Sequence, residues 1–143
     1  MFEAVEAKNN AVHCSLNSDK SEIAFVVPIK KFQFKRNLMR EHFNTNYMES
    51  DRYPKATFKG VIEKFDLKMI SEIEKEFLLK GKITIHGQSR AITVNATIKK
   101  VGVGIHIKSN FTLFTDDFNI EIPDMVIAKI SKKVNTQLEC VLN

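Results

Sequence analysis

Apolar residues recur at every second position through most of this chain. From Phe77 to His86, the residues Phe77, Leu79, Gly81, Ile83 and Ile85 share one face, and Leu78, Lys80, Lys82, Thr84 and His86 the other. Ile92, Val94, Ala96 and Ile98 alternate in the same way, as do Val103, Ile105, Ile107, Ser109, Phe111 and Leu113. Val134, Thr136, Leu138, Cys140 and Leu142 form a further run. A period of two with one apolar face predicts half-buried strands of an antiparallel sheet.

The first two runs define a hairpin. With Gly87-Gln88 as a two-residue loop, Gly87 supplies the positive φ of a type I′ or II′ turn. His86 then opposes Ser89, Ile83 meets Ile92, Gly81 meets Val94, Leu79 meets Ala96 and Phe77 meets Ile98, while Lys82 meets Thr93 and Lys80 meets Asn95. A slip by one residue would set apolar against polar throughout. The next connection, Val101-Gly102-Val103-Gly104, fits two adjacent loop placements equally well.

Earlier segments change phase. Ile23, Phe25, Val27 and Ile29 are in one phase, but Phe32 and Phe34, beyond Pro28, are in the other, which predicts a bulge or sharp bend. Ala56, Phe58 and Ile62 likewise change phase before Phe65 and Leu67. Strands that bend in this way suit a sheet closing into a barrel. Val12, Cys14 and Leu16 read as a short strand, and Glu3 to Ala7 as part of another. The period becomes helical once, from Arg36 to Tyr47, where Leu38, Met39, His42, Phe43 and Tyr47 recur at three- and four-residue spacing. A helix of about three turns must dock its apolar face to persist in water. The stretch Phe118 to Ile127, containing Ile122-Pro123, reads as a bend or short helical turn before the last strand. One helix among about eight strands predicts an all-β antiparallel barrel occupying residues 1–143 as one domain.

Composition narrows the function classes. At 143 residues with 43% hydrophobic and 27% charged residues, the chain can bury a core and is neither disordered nor membrane-embedded in character. No run approaches the roughly 18 apolar residues of a spanning helix. Met1 is followed by Phe2-Glu3-Ala4, without the basic and apolar regions of a signal peptide. The net charge of +5 is spread over pairs such as Lys30-Lys31 and Lys99-Lys100, without interleaved aromatics, so a solvated surface is expected rather than a nucleic-acid interface. Cys14 and Cys140 both fall on apolar phases; buried thiols are expected, with a single bridge as the alternative. No histidine pair or Cys/His cluster has metal-ligand spacing. Glu41, Ser50, Glu49 and Asp51 lie near His42 without the spacing of any catalytic motif. His86 flanks the hairpin turn and is expected to stabilise it.

Three stretches carry a resemblance: Met39 to Gly60, MREHFNTNYMESDRYPKATFKG; Leu79 to Val94, LKGKITIHGQSRAITV; and, more weakly, Ser109 to Pro123, SNFTLFTDDFNIEIP. In this order they resemble the YceI-like family. The family usually has a Tyr-Gly pair before Ile-x-Ile-Pro; here Asp117-Phe118-Asn119 stands in its place. Family members generally begin with a signal peptide and a strand or two before the position of Glu6-Ala7, where this chain nearly begins. The resemblance implies a lipocalin-like barrel with an apolar tunnel for a polyisoprenoid or similar lipid. It also implies a periplasmic or secreted location, with a cytoplasmic one left open for want of a signal peptide.

Eleven phenylalanines and no tryptophan suit an apolar lining. A dozen buried CH₂ groups contribute about 10 kcal/mol, before association costs of several kcal/mol. The expected function is therefore non-catalytic binding and transport or storage of an isoprenoid, quinone-like or fatty-acyl lipid, without a cofactor. The expected tunnel residues are Phe25, Val27, Phe58, Ile62, Leu79, Ile83, Val94, Ile105, Ile107 and Phe111. Toward the helix-covered end they are joined by Phe32, Phe34, Leu38, Phe43 and Tyr47, with His42 as a possible head-group contact. Transient membrane contact and a monomer or homodimer are compatible with this reading. Two alternatives remain: a scaffold barrel filled by its own side chains, and a hydrolase or isomerase using His42 with a nearby carboxylate.

Overall fold

The computed structural model describes residues 7–121 and 133–142. The chain is all-β and antiparallel with one short helical segment, as its alternation predicts. Nine strands are present among the described residues: β1 (Ala7–Lys8), β2 (His13–Asn17), β3 (Glu22–Pro28), β4 (Gln33–Phe34), β5 (Lys55–Ile62), β6 (Lys75–Ile85), β7 (Gln88–Val101), β8 (Gly104–Phe114) and β9 (Lys133–Leu142). Seven of them form one curled antiparallel sheet in the order β2-β3-β5-β6-β7-β8-β9. The small strands β1 and β4 pair separately, Ala7 opposite Phe34. Glu3 to Glu6 and Ile122 to Ile127, parts of two expected elements, lie outside the described residues; before the second, Thr115–Phe118 forms a 3₁₀ turn.

Curling brings the two edge strands of the sheet together, and a disulfide between Cys14 on β2 and Cys140 on β9 joins them, Cα to Cα 6.3 Å. The expected buried thiols are thus corrected to a bridge. Both cysteines do point to the apolar interior, but alternation on each strand says nothing about two strands meeting across a seam. Closing the curl also requires close backbone contact. Gly60 and Gly81 face each other on β5 and β6. A Cβ on Gly81 would meet the Lys59 carbonyl oxygen at 2.1 Å, so side chains are excluded where the sheet bends.

The β6–β7 hairpin differs from expectation. Its loop is His86-Gly87, and Ile85 pairs with Gln88, Ile83 with Arg90, Gly81 with Ile92, Leu79 with Val94 and Phe77 with Ala96. The register is displaced by two residues from the expected one, which leaves every inward residue inward. Both loop residues have positive φ, 53° for His86 and 73° for Gly87, as a type I′ turn requires. The open choice at the next hairpin resolves to a Gly102-Val103 loop, with Val101 opposite Gly104.

The phase change after Pro28 is a 3₁₀ turn at Ile29–Lys31. The one after Ile62 leads into a loop whose own 3₁₀ turn, Leu67–Met69, places Ile70 in the core. The predicted helix Arg36 to Tyr47 is an α-helix, α1, only over Asn37–His42. It continues as a π-helical turn over Phe43–Tyr47, with the Met48 amide donating to the Phe43 carbonyl at 2.8 Å. Tyr47 and Met48 are buried at its end, and Leu38, expected on the docked face, is 64% exposed.

Candidate functional site: a cleft in the barrel wall

Burial of the inward face is uneven. Ile23, Ile62, Leu79, Ile98 and Ile107, at most 2% exposed, pack together near the end capped by Ile70. Toward the opposite end of β7, β8 and β9, the inward residues Ile92, Val94, Phe111, Leu113 and Leu138 are only half-buried. The interior is packed at one end and incompletely covered at the other.

The cause is a divergence of strands. β7 and β8 pair from Val101–Gly104 up to Ala96–Ser109 and no further. At that point Ser109, itself buried, donates its hydroxyl to the Asn95 carbonyl at 2.6 Å. Beyond it the strands separate around a cleft of about 350 Å³ lined by Ile92, Thr93, Val94, Asn95, Asn110, Phe111, Thr112 and Leu113. A second cleft of about 360 Å³ lies beside it along β8 and β9, lined by Asn110, Phe111, Thr112, Asn135, Thr136 and Gln137. Each is near the lower end of ligand-pocket sizes, roughly 300–1,000 Å³. Phe111 stands between them.

The candidate tunnel residues are spread over different surroundings. Phe25, Phe58, Ile62, Leu79, Ile83 and Ile107 are buried in the core, with Phe25 and Phe58 stacked at 5.8 Å between centroids. Phe32, Phe34 and Phe43 form an aromatic cluster under α1, with Phe43 at 5.5 Å from Phe32 and 4.9 Å from Phe34. Tyr47 is buried beside it, and Val27 and Ile105 are half-buried. Val94 and Phe111 are brought together across the first cleft, whereas Leu38 stands exposed on α1. Sequence reasoning missed the polar part of the cleft, Thr93, Asn95, Asn110 and Thr112, because outward residues of a regular strand carry no signal. Only a departure from pairing makes them line anything.

His42 sets its ring edge against Tyr47 at 6.4 Å. Two of the carboxylates near it in sequence have other partners. Asp51 pairs with Lys30, and Glu49 accepts from His86 Nε2 at 2.6 Å. His86 Nδ1 lies 2.9 Å from the Phe118 carbonyl oxygen. Tyr53 packs edge-on against the same ring at 4.8 Å. His86 therefore ties the β6–β7 turn to the segment after α1 and to the turn after β8, the stabilising role expected of it. Among the described residues no group of acidic, cysteine and histidine side chains could hold a metal ion. No described helix is long and apolar enough to cross a membrane.

A chain with this geometry has solved counterparts. The Campylobacter jejuni YCEI protein superposes with a TM-score of 0.78 at 17% identity, over 100% of this chain and 86% of that one. Burkholderia cenocepacia BcnA gives 0.74 at 15%, over 93% and 83%. A polyisoprenoid binding domain from Saccharophagus degradans, implicated in plant cell wall breakdown, gives 0.71 at 11%, over 96% and 88%. At these identities the likeness shows the fold. No curated protein matches. The model of the YceI-like domain matches residues 1–142, and the chain belongs to the YceI-like family.

Proposed function

We propose that this chain is a non-catalytic lipid-binding barrel that carries or stores a long apolar lipid of isoprenoid, quinone-like or fatty-acyl type. One observation carries the reading: the half-buried apolar wall formed by Ile92, Val94, Phe111 and Leu113, reached through a gap between two strands of the barrel. Hydrocarbon placed against it completes the burial that the chain's own side chains leave unfinished, at about 0.8 kcal/mol for each CH₂ covered. Family membership and the polyisoprenoid binding domain among the structural neighbours support binding rather than catalysis. Organic extraction of the purified protein followed by mass spectrometry tests the reading. A lipid in stoichiometric amount, or uptake of an added polyprenol, supports it; repeated failure of both overturns it.

A second reading has its own support. The stacked Phe25–Phe58 pair and the tightly buried isoleucines fill part of the interior, as a scaffold barrel with a side-chain core would. It predicts the same extraction to be empty and Phe111→Ala to change stability alone.

A further inference from the structure

The described residues that line the two clefts are uncharged. Charged residues make up 27% of the chain, yet among the described residues none of the eleven that line either cleft carries a charge. The outward positions present hydroxyls and amides instead: Thr93, Asn95, Asn110, Thr112, Asn135 and Gln137. Charges flank them: Lys80, opposite Thr93 on β6, pairs with Glu63 at 2.8 Å, and Lys82 stands exposed next to it on the same strand face. Arg90 lies 3.8 Å from Asp117 and also donates through Nε to the Asp117 carbonyl at 3.1 Å. Lys108 lies 3.6 Å from Glu139. Thr112 donates to the Asn135 side-chain oxygen at 3.1 Å. Among the described residues the exposed Asn95 and Asn110 side chains, which both line the first cleft, have no hydrogen-bond partner and so offer both donors and acceptors.

Phosphate groups on protein surfaces are held by Arg or Lys side chains or by clustered backbone amides. A neutral head group needs only the donors and acceptors present here. We infer that the cleft selects lipids with an uncharged hydrogen-bonding head (an alcohol, quinone carbonyl or amide) over their phosphorylated counterparts. Asn95 and Asn110 determine that choice, with the tail passing inward between Val94 and Phe111. The inference rests on the lipid-binding reading above and adds the head-group class to it.

The test uses three probes with one C20 tail: geranylgeraniol, geranylgeranyl diphosphate and the parent hydrocarbon. Each is titrated into the intact, delipidated protein and into an Asn95→Leu/Asn110→Leu variant. In the wild type the alcohol is expected to bind at least about tenfold more tightly than the diphosphate. In the variant the alcohol is expected to fall to the level of the hydrocarbon, while the hydrocarbon itself still binds. Equal or tighter binding of the diphosphate by the wild type overturns the inference and leaves the lipid-binding reading standing, as does an alcohol preference that survives in a variant of unchanged thermal stability. Binding of none of the three overturns the lipid-binding reading itself.

Discussion

Leu79 and Gly81 are two residues apart on one strand, share its inward face, and do opposite things there. Leu79 is 1% exposed and fills the packed end of the barrel, whereas Gly81 makes room. Its partner across the ladder is Gly60, and each would drive a Cβ into the other strand's backbone. Alternation made the shared face legible from the sequence. It could not show that Gly60 and Gly81 meet, because that depends on how far each strand slides along its neighbour. Gly81→Ala is expected to destabilise the protein by about 1–3 kcal/mol, since backbone atoms at 2.1 and 2.5 Å cannot step aside as a flexible side chain would. Urea denaturation measures it, and a wild-type midpoint would show that the bend does not depend on that close contact. His42 and His86 teach the same lesson. Their positions beside a helix end and a turn were plain, but Glu49 could be assigned to His86 only once the chain had folded.

At the level of elements, parity was readable and displacement was not. The β6–β7 register lies two residues from the expected one because His86 adopts positive φ together with Gly87, moving the loop back by one position. Tyr53 packs on that turn, and a Cβ on Gly87 would meet the Tyr53 ring at 2.6 Å. The helix tells a parallel story. The spacing of Leu38, Met39, His42, Phe43 and Tyr47 fits a period of 3.6, whereas the helix widens to a π-helical turn over Phe43–Tyr47, and Leu38 stands exposed. The divergence of β7 and β8 left no trace in the pattern either, since Ile92 and Val94 alternate as regularly above the split as Ala96 and Ile98 do below it. Native-state hydrogen exchange is expected to reveal the split. Amides of Asn95, Asn110 and their neighbours that face the cleft should exchange faster than those between Ala96–Val101 and Gly104–Ser109, where the ladder is intact. Equal protection along both strands would contradict the divergence.

For the molecule as a whole, the fold class and family were legible because three long stretches and four alternating runs all point to one architecture. The disulfide was not, since it depends on the meeting of strands at opposite ends of the chain, 126 residues apart. It joins the two edges of the curled sheet. Its loss in Cys14→Ser/Cys140→Ser is expected to cost about 2–4 kcal/mol through the freedom regained by the unfolded chain, read as a lower unfolding midpoint that reducing agent does not lower further. An unchanged midpoint would mean that the seam holds without it.

The central claim is that the half-covered apolar wall behind the β7–β8 cleft is a lipid site. Native mass spectrometry of the intact protein, delipidated and then incubated with geranylgeraniol, tests it most directly. The account predicts a one-to-one complex in the wild type and its loss in Val94→Asp/Phe111→Asp, at protein concentrations where both remain folded by circular dichroism. A wild-type spectrum showing only the bare chain, or a complex undiminished in that variant, would contradict it.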